Sequence, residues 1–127
     1  MTCIRLSLDD IKTLHSKLIS RSGGLDGIRD INLLDLSVNS PYHTFGGQQL
    51  YPTLQAMAAH LAFSLIKNHP FLDGNKRIGI FAMMVFLKIN GLPLSCTDSE
   101  LETLGWGLAD GSITETELLD FVICHTK

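Results

Sequence analysis

The stretch HPFLDGNKRIGIFAMMVFLKING, residues 69–91, sets a polar loop against an almost unbroken apolar run. Pro70 disfavours the helical conformation for His69, so a preceding helix should end there. A new helix should open at Asp73 or Gly74 and run to Asn90, with Gly91 as its stop. Ile78, Ile80, Phe81, Ala82, Met83, Met84, Val85, Phe86 and Leu87 leave it no broad polar face. A helix apolar on nearly all sides is a central, buried one. Lys76 and Arg77 nevertheless fall in its first turn, where the helix dipole disfavours cations by roughly 0.3–1 kcal/mol.

Working outward, helical spacing recurs on both sides. Upstream, Leu54, Met57, Ala58, Leu61, Leu65 and Ile66 predict a helix from Thr53 or Leu54 to Asn68. At the N-terminal end, Ser7 with Asp10 forms a capping box before Leu8, Ile11, Leu14, Leu18 and Ile19, and Gly23-Gly24 stops that helix. Asp30 reads as the N-cap of a short helix over Ile31–Val38. Residues 39–53, NSPYHTFGGQQLYPT, have no helical period and are long for a connection; such loops are ordinary surface loops, lids or binding loops. Thr44-Phe45 and Leu50-Tyr51 are expected to pair around Gly46-Gly47. Beyond Gly91, Ser99 with Glu102 and Thr114 with Glu117 predict two more capped helices. Gly105 and Gly107 weaken the first of these, and Trp106 is expected to be a packing residue. The sum is an all-α, compact single domain over residues 1–127 with about six helices.

Bulk composition narrows the function. The 127 residues are 45% hydrophobic and 18% charged, which is globular rather than disordered. The net charge of −3 argues against a dedicated nucleic-acid binder while leaving room for a small basic pocket. Cys3, Cys96 and Cys124 fit neither a zinc site nor a disulfide framework and are expected to be buried free thiols. There is no apolar signal-peptide core and no run of ~18 apolar residues, so a cytoplasmic protein without a membrane span is expected.

The loop before the central helix carries the chemistry. A helix start that reaches the surface offers unpaired N–H groups to an anion. Gly74 allows close approach to the backbone, and Asn75 can donate from its amide. Lys76 and Arg77 add one compact and one bidentate cation suited to phosphate. A polyphosphate would supply the counter-charge they lack. Asp73 is the one nearby anion, suited to holding Mg²⁺ against phosphate oxygens. His69 can accept a proton near neutral pH. Taken singly, Asp73 also reads as an N-cap, His69 as an ordinary histidine, and the two cations as solvated; Phe71 reads as a wedge into the core. Their joint occurrence at a buried helix start favours a site.

His69-Pro70-Phe71-Leu72-Asp73-Gly74-Asn75-Lys76-Arg77 resembles the Fic/Doc signature, roughly H-x-F-x-[DE]-[GA]-N-[KG]-R, and is most similar to the Doc, or death-on-curing, branch. GGLDGIRD, TFGGQQLYPT and FLKINGLPL also resemble Doc-family segments. The resemblance implies His69 as general base, Asp73 as Mg²⁺ ligand, Gly74 and Asn75 as an anion cradle, and Lys76 and Arg77 as phosphate-binding cations. It also implies that residues 39–53 form a flap that holds an extended target segment by strand addition. AMP-transferring members usually carry a second arginine where this chain has Ile80, and glycine where it has Lys76.

The expectation is therefore a toxin of a toxin–antitoxin module. It would use Mg·ATP to phosphorylate a threonine of a translation factor, by analogy elongation factor Tu, and so block protein synthesis. AMP transfer to a protein hydroxyl and a non-catalytic, antitoxin-bound corepressor are the alternatives. No glutamate here is followed by glycine or asparagine, as a self-inhibitory helix of the family would require. Control is expected from a Phd-like antitoxin whose disordered tail folds onto the toxin.

Overall fold

The computed structural model describes residues 3–127. Six helices appear in chain order: α1 (Leu8–Ser22), α2 (Ile31–Asn39), α3 (Leu54–Asn68), α4 (Asn75–Ile89), α5 (Asp98–Asp110) and α6 (Glu115–His125). A 3₁₀ turn (Ser40–Tyr42) and a hairpin of β1 (Thr44–Phe45) and β2 (Gln48–Gln49) lie between α2 and α3. This is the all-α architecture that the periodicity predicts.

Local chemistry accounts for most boundaries. Ser7 and Asp10 make the expected reciprocal box on α1, Asp30 accepts from Asn32 and Leu33 at α2, and Thr53 accepts from Ala56 at α3. Thr114 and Glu117 box α6. The box of α5 is Thr97 with Glu100, not Ser99 with Glu102. Both pairs fit the spacing, but Thr97 has the extended backbone of an N-cap, so Ser99 already lies inside the first turn.

The hairpin also differs from expectation. Gly46 and Gly47 both take positive φ, 59° and 80°, which closes a two-residue turn and forces the strands to abut it. Phe45 therefore faces Gln48 and Thr44 faces Gln49; Leu50-Tyr51 lies beyond the strand. Tyr51 instead stacks on His60 of α3 at 3.9 Å.

α3 and α4 form the central pair. α3 packs against α2, α4, α5, α6 and the 3₁₀ turn, and α4 against α1, α3 and α5. One apolar cluster runs from Leu6 to Val122, with Leu61, Leu65, Ile78, Met83, Phe86 and Leu87 at its centre. Gly79 lets the two helices approach, since a Cβ there would lie 3.1 Å from the Ala62 carbonyl and closer still to Ile66. The cysteines are unpaired, but none is buried: Cys124 is exposed and the other two half-buried. Among the described residues no helix is long and apolar enough to cross a membrane.

Candidate active site

The loop 69–74 joins the two central helices, so their packing fixes both of its ends. At the α3 end, His69 takes φ 52°, ψ 53°, the one positive φ outside glycine among the described residues. The helix stops where Pro70 requires, but through a left-handed residue rather than an extended one. Such a conformation persists only where surroundings over-determine it. Here the Arg29 guanidinium donates to the His69 carbonyl at 2.6 Å and to the Asn68 carbonyl at 2.9 Å. Arg29 and Asp30 N–H groups both reach the Pro70 carbonyl, at 2.7 and 3.0 Å. The α3 C-terminus thus has its own cation and its own carbonyl partners. His69 itself is exposed and lines a cavity of about 550 Å³ with Asp73, Gly74, Asn75, Lys76 and Arg77.

Phe71 is the expected wedge: it is buried, bridges Ile28 and stacks on His15 at 3.7 Å. Asn75 closes the loop over it. Its Oδ1 accepts from the Phe71 N–H at 3.0 Å and its Nδ2 donates to the Phe71 carbonyl at 3.1 Å. The amide is therefore buried and committed inward, and Asn75 can offer an anion only its backbone N–H.

Gly74 is the N-cap of α4, with φ 77° and no side chain to accept from the first-turn amides. Its own N–H goes to Asp73 Oδ1 at 2.8 Å, while the first bonded amide is Ile78, on the Gly74 carbonyl. The N–H groups of Asn75, Lys76 and Arg77 are thus the orphan donors of the first turn.

Asp73 is held from two sides. Its Oδ2 accepts from the Leu25 N–H at 3.2 Å and its Oδ1 from Gly74. These bonds, with Arg77 and His15 nearby, keep its carboxyl below the usual carboxylate range. Gly24 makes the close approach possible, since a Cβ there would lie 2.6 Å from Oδ2. No cluster of three His, Cys, Asp or Glu side chains suited to a metal occurs among the described residues. An ionised carboxylate with free lone pairs fits Mg²⁺ that arrives already bound to phosphates, and does not fit a resident all-protein metal site.

The two cations are placed differently. Arg77 Nη1 donates to Ser22 Oγ and, at 3.0 Å, to the Gly23 carbonyl, while Nη2 stands 4.0 Å from Asp73 Oδ1. Lys76 leans away from the loop, with Nζ 3.2 Å from the centroid of the Trp106 ring. Trp106 is 57% exposed, so it is not the packing residue expected of it. Leu104 and Leu108, one helical turn apart, take the core face of α5 and leave Trp106 on another.

Two further residues escaped the sequence reading. Buried His15 donates from Nε2 to the Asp73 carbonyl at 2.7 Å, because a carbonyl can only accept, and its Nδ1 lies 3.6 Å from Asp26. Its place on the apolar face of α1, midway between Ile11 and Ile19, was the available signal. Arg29 carried no local signal.

Residues 5–87 match the Fic/DOC family, about two-thirds of the chain. The protein belongs to the Fic/DOC family. It is 45% identical over 73 residues to "Toxin Doc" of Mycolicibacterium smegmatis, a match covering 58% of this chain and 56% of that protein. The chain thus aligns with little more than half the length of that relative. It is 27% identical over 115 residues to "Protein kinase doc" of Escherichia phage P1, covering 91% of this chain and 90% of the phage protein. The matched segment, residues 5–87, includes the loop whose geometry is described above.

Proposed function

We propose that this Fic/DOC protein is the toxin of a toxin–antitoxin module, and that it transfers the γ-phosphoryl group of Mg·ATP to a protein hydroxyl. The observation that carries this reading is the conjunction at one helix start: orphan N–H groups, two cations, a depressed carboxylate and an exposed histidine. In that reading His69 takes the proton of the acceptor hydroxyl. The hydroxyl oxygen bonds to the γ-phosphorus, the bond from that phosphorus to the β–γ bridging oxygen breaks, and ADP leaves. Arg77, Lys76 and the first-turn amides of α4 hold the phosphates and stabilise the charge that develops on them. Asp73 would hold Mg²⁺ against phosphate oxygens, where the ion supplies charge neutralisation.

The names of the two relatives support the toxin and kinase parts of this reading. By analogy the acceptor is a threonine of elongation factor Tu, and the regulator an antitoxin with a disordered tail. The AMP-transfer alternative is disfavoured by Ile80, an apolar, nearly buried residue where such enzymes usually carry an arginine. The test is growth inhibition on induction. His69→Ala should lower transfer by roughly 10²–10⁴-fold and abolish inhibition, as should Arg77→Ala. Unchanged toxicity in both folded variants would rule the mechanism out.

A further inference from the structure

Beside the His69 cavity lies a second one of about 550 Å³, lined by Leu18, Phe81, Met84, Leu101, Gly105 and Trp106 among others. The two share Lys76 and Arg77. One half of the combined cleft is thus polar and cationic, and the other apolar and aromatic. Each half has a volume within the usual range of small-molecule sites.

We propose that the apolar half is a nucleobase subsite, in which the Trp106 indole stacks the purine of the ATP whose phosphates occupy the polar half. Charge sets the direction of binding. The phosphates belong at Lys76 and Arg77, and the Glu102 carboxylate, which also lines this cavity, repels them while offering an acceptor to an exocyclic amine or ribose hydroxyl. Trp106 is 57% exposed, and among the described residues the cation over its ring is the Lys76 ammonium, in a cation–π contact that a base can replace. An arriving nucleotide satisfies both partners at once, because the base covers the ring and the ammonium turns to the phosphates. Gly105 leaves room: a methyl there would touch only Ile80 and Lys76 at ordinary contact distance, 3.7 and 3.8 Å.

The subsite rests on the nucleotide reading and deepens it. With the base beyond Lys76 and Arg77, the terminal phosphate rather than the α-phosphate points back to His69.

Trp106 is the single tryptophan of the chain, so its emission reports on this subsite alone. Intrinsic fluorescence is titrated with Mg·ATP and, in parallel, with magnesium tripolyphosphate, which has the phosphates but no base. Calorimetry follows both ligands on the wild type and on Trp106→Ala. The expected result is quenching by ATP beyond any change with tripolyphosphate, and a loss of at least about fivefold in ATP affinity in the variant with tripolyphosphate affinity unchanged. In transfer assays KM for ATP should rise by a similar factor, with kcat within about twofold. Equal emission changes with the two ligands, an unchanged ATP affinity in Trp106→Ala, or absence of ATP binding to the wild type would each overturn the subsite. Stacked ATP that is never transferred would instead sink the phosphotransferase reading and leave the subsite standing.

Discussion

At the scale of single residues, the site is governed by what each polar atom already touches. Asp73 shows this best. The Leu25 and Gly74 amides favour its ionised form, and its folded pKa falls below the ordinary 3.8. A depressed carboxylate contributes stability above its unfolded pKa and loses that contribution as pH falls through the folded value. The stability gap between wild type and Asp73→Asn, measured by urea unfolding, should therefore be flat from about pH 8 to about pH 5 and close below the ordinary carboxylate range. A gap that widens on acidification would contradict these contacts. His69, Asp73 and Arg77 could be named from their order along the chain. Arg29 could not, because its partner lies 40 positions away and nothing local marks the contact; the apolar face of α1 marked His15 as buried but not its partner, 58 positions away. Asn75 was legible as a site residue but not as one turned inward.

At the scale of elements, caps and periodicity located every helix, since both signals lie within four residues of the boundary they set. Where two local patterns competed, as with the two candidate boxes of α5, spacing alone did not separate them, and the extended backbone at Thr97 marks the true cap. The two glycines of that helix likewise read alike in sequence but differ in place. A Cβ on Gly107 would run into the Ile113 side chain, with Ile113 Cβ itself only 3.0 Å away, whereas one on Gly105 finds ordinary contacts. Gly105→Ala should raise the unfolding free energy by about 0.5–1 kcal/mol through helix propensity. Gly107→Ala should lower it by about 1–3 kcal/mol through overpacking. Denaturant unfolding of both variants checks the contrast, and the same sign for the two would refute it.

At the scale of the whole molecule, the fold brings three separate parts of the chain to one cleft. The connector 22–30 clamps the loop 69–74, α4 supplies the unbonded first-turn amides with Lys76 and Arg77, and α5 supplies Trp106. The apolar run after Arg77 made the central helix legible, and the order of residues 69–77 made the polar side of the cleft legible. The second cavity was not, because it exists only where α1, α4 and α5 meet. The central claim is that this cleft presents the terminal phosphate of ATP to a hydroxyl activated by His69. The most direct test incubates the purified protein with cell lysate and ATP carrying label at either the γ- or the α-phosphate. The γ-label is expected to pass to a protein acceptor, the α-label is not, and His69→Ala should transfer neither. Retention of α-label on the acceptor, or equal transfer by His69→Ala, would contradict the claim.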